Sequence, residues 1–455
     1  DSRQVVRGSM FICLAGSRED GHDYLAQAIR KGAAVCVVSK HVWVEGDVTV
    51  IRVRNTSEAM AWIARNYYGA PAEAMQMIGI TGTKGKTTTA GMLYQMLKEA
   101  GVKCGLIGTL GVRRSDGLKK PGSNTTPDAL VLQKELREMA DAGCSCCVME
   151  VSSQGLKHYR VEGITFAIGI YTNLSMDHIG PGEHRSFREY ACCKKRLFER
   201  SRMICINADD KYHGFMTANL EAPVYTYGIE QPCDVKAEHI VYERSSRGLN
   251  VTYQTTGWIK DEIVLKMPGT ANVYNSLAAM EAAHLLGISP ETIRKTLRNV
   301  SVKGRIEEVR ISDKFDVVID YAHNAASLES LIKTLRQYQP KRLVLLFGCG
   351  GNRSPLRRFQ MGETAGRLSD VTILTSDNPR YEKPEAILSD IEQGMKRTKG
   401  KYKIIPDRRE AISYAISQAQ EGDLIVVAGK GHEEYQEIEG HFYPMNEREM
   451  IENSI

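Results

Sequence analysis

A chain of 455 residues, 42% hydrophobic and 25% charged, is long enough for several domains that each bury a core, which excludes a disordered or fibrous polypeptide. Its 60 Lys and Arg against 55 Asp and Glu leave a net charge of +5, too mild and too evenly mixed for a nucleic-acid footprint but compatible with local sites for small anions. No apolar run approaches the roughly 20 residues of a bilayer span and no charged-then-apolar leader opens the chain, so a cytoplasmic protein without membrane insertion is expected.

Residues 1–75 read as a small α/β unit: the strand MFICLAG, a helix in DYLAQAIRKGA and the strands AVCVVS and VTVIRV, with Pro71 close to the end. The first residue is Asp1 rather than Met, the expected mark of a processed or trimmed chain whose start is missing. From MQMIGITG onwards, CSCCVMEVSS, FAIGIYTNLS and RMICINADD are apolar runs ending in polar residues, as buried parallel strands do, and they predict a second α/β domain at 76–300. Within ISPETIRKTLRNVSVKGRIEEV a helix gives way to a new strand series, KFDVVIDYAHN, KRLVLLFGCGG, SDVTILTSDNP and DLIVVAGKGHE. Helices are predicted between them, such as SLESLIKTLRQY with Leu328, Leu331, Ile332 and Leu335 on one face, giving a third α/β domain at 301–455. In open parallel sheets ligands sit beyond the carboxyl ends of the strands, and the polar clusters here fall at those ends. The eleven cysteines, an odd number with adjacent pairs, read as reduced thiols, and Cys144 and Cys147 of the single C-x-x-C as buried strand positions.

The stretch GITGTKGKTTT places glycines directly after an apolar strand and before a helix. Backbone N–H groups around Gly82 and Gly85 can wrap a phosphate, Lys86 can reach the β- and γ-phosphates, and the Thr87 hydroxyl can ligate Mg²⁺. The helix TAGMLYQMLKEAG is expected to turn Leu93, Met96, Leu97 and Ala100 inward and its N-terminal dipole towards the anion. Ile80 stands where the strict G-x-x-x-x-G-K-T form has its first glycine, so the loop is a variant.

TGTKGKTTT, MEVSSQGL, TNLSMDH, GTANVYNSLAA, DYAHN, FGCGGNR, DNPR and GKGHEEYQ, in this order over the whole chain, resemble the Mur ligases, and among them those that add a diamino acid. The resemblance implies three α/β domains: a small N-terminal UDP-binding domain, a central P-loop parallel-sheet ATPase domain and a Rossmann-like C-terminal domain. It also implies an enzyme of peptidoglycan precursor synthesis that uses ATP and Mg²⁺ to join meso-diaminopimelate to UDP-N-acetylmuramoyl-L-Ala-D-Glu. The substrate carboxylate would become an acyl phosphate, which the incoming amine attacks.

By resemblance, Gly82, Thr83, Lys84, Gly85, Lys86, Thr87 and Thr88 hold the phosphates, and Asn272, Asn275, Arg305 and Asp320 the adenosine. Glu150 and His178 are expected to hold a second Mg²⁺ with Lys194 of FREYACCKKRLF, carboxylated on its amine by CO₂ and so turned into an anionic oxygen ligand. The muramoyl substrate is assigned Asn124, Thr125, Thr126, Ser152, His158 and Arg160, and its uridine Ser2, Ser17 and Arg18. The diamino acid is assigned Arg353, Asp377, Asn378, Arg380, Gly429 and Glu433, with Arg380 of DNPR clamping the second carboxylate and Glu433 meeting the distal ammonium. Three other readings remain open: the same ligase adding L-lysine or another diamino acid, another Mur-like amide ligase such as a folylpolyglutamate synthetase, and a nucleotide-dependent switch or scaffold without ligase chemistry.

Overall fold

Val-, Ile- and Met-rich runs with no polar alternation can be buried on both faces only in a sheet covered by helices, and that is the environment they occupy in the computed structural model. It describes residues 1–16, 19–120, 122, 124–180, 182–245 and 248–454. The chain divides into two compact units, Asp1–Asp234 with Ala278–Ile288, and Val235–Leu277 with Ser289–Ile455.

The first unit opens with a parallel sheet of β1 (Ser9–Ile12), β2 (Ala33–Val38) and β3 (Thr49–Arg52). Phe11, Leu25, Ala28, Cys36 and Val38 form its own small core. A larger sheet follows: β4 (Gln76–Thr81), β5 (Cys104–Gly108), β6 (Gly111–Arg113), β7 (Lys119–Lys120), β8 (Cys146–Glu150), β9 (Phe166–Tyr171), β10 (Ser201–Asn207) and β11 (Val224–Gly228). Its order in this unit is β11-β10-β9-β4-β8-β5-β6-β7, parallel from β11 to β5 and antiparallel beyond. The register sets Ile80 beside Glu150 and Thr81 beside Tyr171, so three strands deliver their carboxyl ends to one edge. Cys144 and Cys147 are buried, and every cysteine is free. The helix after β4 spans Lys86–Glu99 and buries Leu93, Met96 and Leu97. Ala100, expected inward, is exposed, because it caps the helix and Gly101 (φ 77°) then turns the chain away.

The second unit begins with an antiparallel group absent from the expected series: β12 (Val235–Ser245), β13 (Gly248–Gly257) and β14 (Glu262–Leu265). Arg244 fixes it to the following sheet, Nε donating to Asp316 Oδ2 at 2.6 Å and Nη2 to Asp423 O at 2.6 Å. That sheet contains β15 (Glu307–Glu308), β16 (Asp316–Asp320), β17 (Arg342–Phe347), β18 (Val371–Leu374), β19 (Lys401–Ile404) and β20 (Asp423–Ala428), in the order β15-β16-β20-β17-β18-β19. All neighbours except β15 and β16 run parallel. Leu328, Leu331, Ile332 and Leu335, on the helix Ala325–Arg336, pack with Leu343, Leu345 and Phe347. Asp320, Ala428, Phe347 and Leu374 lie in register, so DYAHN, GKGHE, GCGGNR and TSDNPR leave the sheet side by side. A hairpin of β21 (Tyr435–Ile438) and β22 (His441–Pro444) follows the GKGHE turn.

Candidate active site

The loop after β4 is built by its glycines. Gly85 (φ 89°) caps the helix, and Gly82 (φ 148°) lies so close to β9's exit that a Cβ there would stand 1.9 Å from Thr172 Oγ1. Thr83 N donates to Asn173 O at 2.8 Å, Lys84 N to Asn173 Oδ1 at 3.0 Å, and Thr172 Oγ1 to Lys84 O at 2.6 Å. The Gly82 carbonyl accepts from two lysines, Lys86 Nζ at 2.8 Å and Lys194 Nζ at 2.7 Å. Lys194 is 1% exposed; burial, then the Lys86 charge, pushes its pKa well down. Lys195 instead donates to Ala218 O at 2.5 Å, so of the two adjacent lysines Lys194 faces the loop.

Thr87 Oγ1 donates to Glu150 Oε2 at 2.9 Å, and Glu150 also accepts from Thr109 N (2.8 Å) and Thr109 Oγ1 (3.2 Å). Thr88 is buried beside Thr87 on the first turn. His178, in the left-handed region (φ 55°), is exposed, with Nδ1 3.1 Å from Glu183 Oε1; no contact joins it to Glu150 among the described residues. Among the described residues no three His, Cys, Asp or Glu gather as a metal cluster.

Two residues here were missed by the sequence reading. Tyr190 is fully buried; its hydroxyl lies 2.9 Å from Thr83 Oγ1 and its ring 4.6 Å from Lys194 Nζ. The signal was present, since Tyr190 and Lys194 are four apart on one helix, Phe187–Lys195, and share a face. His184 is fully buried against the Tyr190 ring, both ring nitrogens are unpartnered, and burial lowers its pKa to about 4. No local pattern marks a histidine in a Gly-Pro-Gly-Glu loop as buried.

Beside Glu150, Thr125 Oγ1 meets Thr109 Oγ1 at 3.1 Å, and Thr126 Oγ1 donates to Glu150 O at 2.9 Å while accepting from Ser152 N at 2.9 Å. Arg160 Nη1 donates to Thr126 O at 2.9 Å. Thr125, Thr126, Ser152 and Arg160 thus converge, with Asn124 and His158 exposed on the same segments. Ser2 is buried, donating to Gln27 Oε1 at 2.9 Å, while Ser17 and Arg18 lie outside the described residues.

In the second unit Asn272 and Asn275 are buried together, Asn275 Nδ2 donating to Asn272 Oδ1 at 3.0 Å. Separately, Asp320 accepts from Ala322 N and Ile306 N, and the Arg305 guanidinium lies 4.8 Å over the Tyr321 ring. The DNPR and GKGHE loops interlock: Asn378 Nδ2 donates to Glu433 Oε2 at 2.8 Å, and Lys430 Nζ to Asn378 Oδ1 at 2.8 Å. Gly429 (φ 116°) lets Asp377 close in, since a Cβ would be 2.7 Å from Asp377 Oδ2. Arg380 is also left-handed (φ 53°), a conformation costly for a non-glycine residue and concentrated at functional loops. Arg353 is exposed on the neighbouring GCGGNR loop. Lys430, fully buried, was missed, as was Arg408, which donates to Glu447 Oε1 at 2.6 Å and Ala428 O at 2.8 Å behind this pocket.

Comparison with known proteins matches three family models: Mur ligase family, catalytic domain, at residues 1–68; Mur ligase middle domain at 80–283; and Mur ligase, glutamate ligase domain, at 304–431. The chain is 42% identical, over all of its length and 93% of the relative's, to UDP-N-acetylmuramoyl-L-alanyl-D-glutamate–2,6-diaminopimelate ligase of Caldanaerobacter subterraneus subsp. tengcongensis. It is 41% identical to the protein of that name from Geobacillus kaustophilus, over all of its length and 94% of the relative's. A solved structure of an enzyme of the same name superposes with a TM-score of 0.71 at 30% identity, covering all of this chain and 93% of that one. Since three Mur ligase models match in order along the chain and a relative is 42% identical over all of it, the chain belongs to the Mur ligase family.

Proposed function

We propose that this protein is an ATP-dependent amide ligase that joins meso-diaminopimelate to UDP-N-acetylmuramoyl-L-Ala-D-Glu, a cytoplasmic step of peptidoglycan precursor synthesis. The carrying observation is the group around one strand edge, where Gly82 O receives Lys86 and Lys194 while Thr87 meets Glu150. ATP gives its γ-phosphoryl to the substrate carboxylate, forming an acyl phosphate. The amine of the amino acid then attacks the acyl carbon and phosphate leaves with the bonding pair. Both steps gather negative charge, which Lys86 and the loop's N–H groups can offset.

The Thr87 and Glu150 oxygens are hard donors 2.9 Å apart and suit Mg²⁺: Thr87 would hold the ion that accompanies ATP, and Glu150 would belong to a second one. When bound it neutralises phosphate charge. Lys194, carboxylated by CO₂, and His178 would complete the set near the substrate carboxylate; the burial of Lys194 favours the neutral amine that CO₂ addition requires. Thr125, Thr126, Ser152 and Arg160 suit the muramoyl peptide, and Asn272, Asn275, Arg305 and Asp320 the adenosine. Domain boundaries near residues 75 and 300, as read from the sequence, would give the nucleotide sugar, ATP and the amino acid a domain each. No helix among the described residues is long and apolar enough to cross a membrane. Arg380 supports diaminopimelate over L-lysine, whose distal end lacks a carboxylate.

Phosphate release and product mass, measured with ATP, Mg²⁺ and UDP-N-acetylmuramoyl-L-Ala-D-Glu, test the proposal. Product with diaminopimelate and not with L-lysine is expected. Product with L-lysine alone would overturn the specificity, and ATP binding without product from either would overturn the ligase.

A further inference from the structure

The register of β5 against β8 sets Ile107 beside Met149, so Thr109 leaves its strand next to Glu150. Thr109 and Leu110 are the two residues that join β5 to β6, between the paired Gly108 and Gly111, which fixes where the Thr109 backbone stands. Gly108 allows the close approach, since a Cβ there would lie 2.3 Å from Glu150 Oε1. Thr109 then grips both carboxylate oxygens: its N–H donates to Oε1 at 2.8 Å and its hydroxyl to Oε2 at 3.2 Å. A hydroxyl has one hydrogen, and Thr109 gives it to the carboxylate, so in the 3.1 Å contact between the two threonine hydroxyls Thr125 donates and Thr109 accepts. The hydrogen bonds therefore run one way, from Thr125 through Thr109 to Glu150, and each polarises the next. Thr87 reaches the same Oε2 from the phosphate loop, at 2.9 Å.

We propose that Thr109 is a positioning residue for metal binding: its amide and hydroxyl together fix the plane of the Glu150 carboxylate, and Thr125 fixes the direction of that hydroxyl. This rests on the reading above in which Glu150 serves a second Mg²⁺. A single donor would leave the carboxylate free to turn about its terminal bond. A donor to each oxygen, both from one residue on a tight turn, removes that freedom before the ion arrives. Thr87 is assigned to the ion that accompanies ATP, so the clamp that stays with Glu150 is Thr109. Loss of the Thr109 hydroxyl should therefore loosen one metal and not the other. The same chain of hydroxyls ties that metal to the segment assigned to the muramoyl peptide, on which Thr125 lies.

Mn²⁺ titrated into the full-length wild-type protein, T109V and T109S, with adenylyl imidodiphosphate and UDP-N-acetylmuramoyl-L-Ala-D-Glu present, tests this without turnover, free Mn²⁺ being read by electron paramagnetic resonance. Valine keeps the branched shape and the backbone N–H and removes only the hydroxyl. T109V is expected to weaken the second Mn²⁺ about tenfold or more, the usual cost of losing a residue that orients a metal ligand, with the first Mn²⁺ near wild type. T109S, which restores the hydroxyl, should recover most of that affinity. In turnover assays T109V should need about tenfold more Mg²⁺ for its half-maximal rate and regain most of kcat when Mg²⁺ saturates. Equal weakening of both ions, or no gain from T109S over T109V, would show that Thr109 only supports the turn, and an unchanged second site would show that Glu150 needs no clamp; each overturns the inference. If T109V melts below the assay temperature, T109A takes its place with the same outcomes expected. A wild-type protein that binds a single Mn²⁺ fails the reading of Glu150 and this inference with it, whereas two Mn²⁺ in the wild type and an unchanged second site in the variant fail this inference alone.

Discussion

Gly82→Ala probes the phosphate loop through a single methyl group. That methyl would lie 1.9 Å from Thr172 Oγ1 and 3.1 Å from Asn173 N, on a backbone with φ +148° that L side chains rarely adopt. Holding such a φ costs about 1–3 kcal/mol. Rotating Thr172 away gives up its bond to Lys84 O, about 0.5–1.5 kcal/mol more. The sum, about 1.5–4.5 kcal/mol, is tolerable against a typical stability of about 5–15 kcal/mol, so the variant should fold with its Tm lowered by about 3–18 °C. The Gly82 carbonyl anchors both Lys86 and Lys194, so a displaced loop misplaces both side chains, and phosphate release should fall about a hundredfold or more. Melting and phosphate-release assays of Gly82→Ala, Thr172→Ala and Gly82→Ala/Thr172→Ala check this. Thr172→Ala forfeits the same bond beforehand, so Gly82→Ala should cost about 0.5–1.5 kcal/mol less in the Thr172→Ala background than in the wild type, while the φ strain stays. Unchanged melting and turnover in Gly82→Ala, or an equal cost of Gly82→Ala in both backgrounds, would refute the reasoning.

Lys86→Ala should leave the melting curve nearly intact yet reduce turnover at least about a hundredfold, and surviving activity would refute the nucleotide assignment. Arg408→Ala leaves Glu447 buried without its cation, so unfolding should be easier by about 3–5 kcal/mol. Because Arg408 also donates to Ser376 O and Ala428 O beside the amino-acid loops, KM for diaminopimelate should rise with KM for ATP unchanged. His432 is held at about 4, first by burial and then by the Arg305, Lys303 and Lys430 charges, against an ordinary 6.5. The unfolded chain therefore takes up a proton that the folded one refuses. Its penalty is absent above about pH 6.5 and grows as pH falls towards 4, reaching about 2 kcal/mol at pH 5. His432→Gln should show a shallower fall of Tm between pH 7 and 5, and parallel curves would refute it.

The apolar runs ending at Thr81, Glu150, Asp320 and Ala428 were legible because parallel strands buried on both faces leave no choice of pattern. The helix Ala325–Arg336 was legible from four leucine and isoleucine positions for the same reason. The strands Val235–Leu265 were not, since β12 intersperses its few buried positions with half-buried Lys236, Glu238 and Arg244 and exposed Glu243, so its alternation reads as loop polarity. Within the site, motif residues could be assigned by order, and Lys194 was separated from Lys195 by register. Tyr190, His184, Lys430 and Arg408 escaped because their importance comes from tertiary burial, which single positions in the chain do not announce.

The interlock of DNPR with the β21–β22 hairpin has a consequence for anyone exchanging substrate preference between relatives. Arg380 N donates to Glu437 O and Glu439 N to Arg380 O, so the tetrapeptide's left-handed turn is templated by backbone some sixty positions downstream. The four letters are thus one half of a discontinuous cassette. Transplanting them alone would carry the arginine but not its aim, and a chimaera that respects the physics must move the hairpin with them.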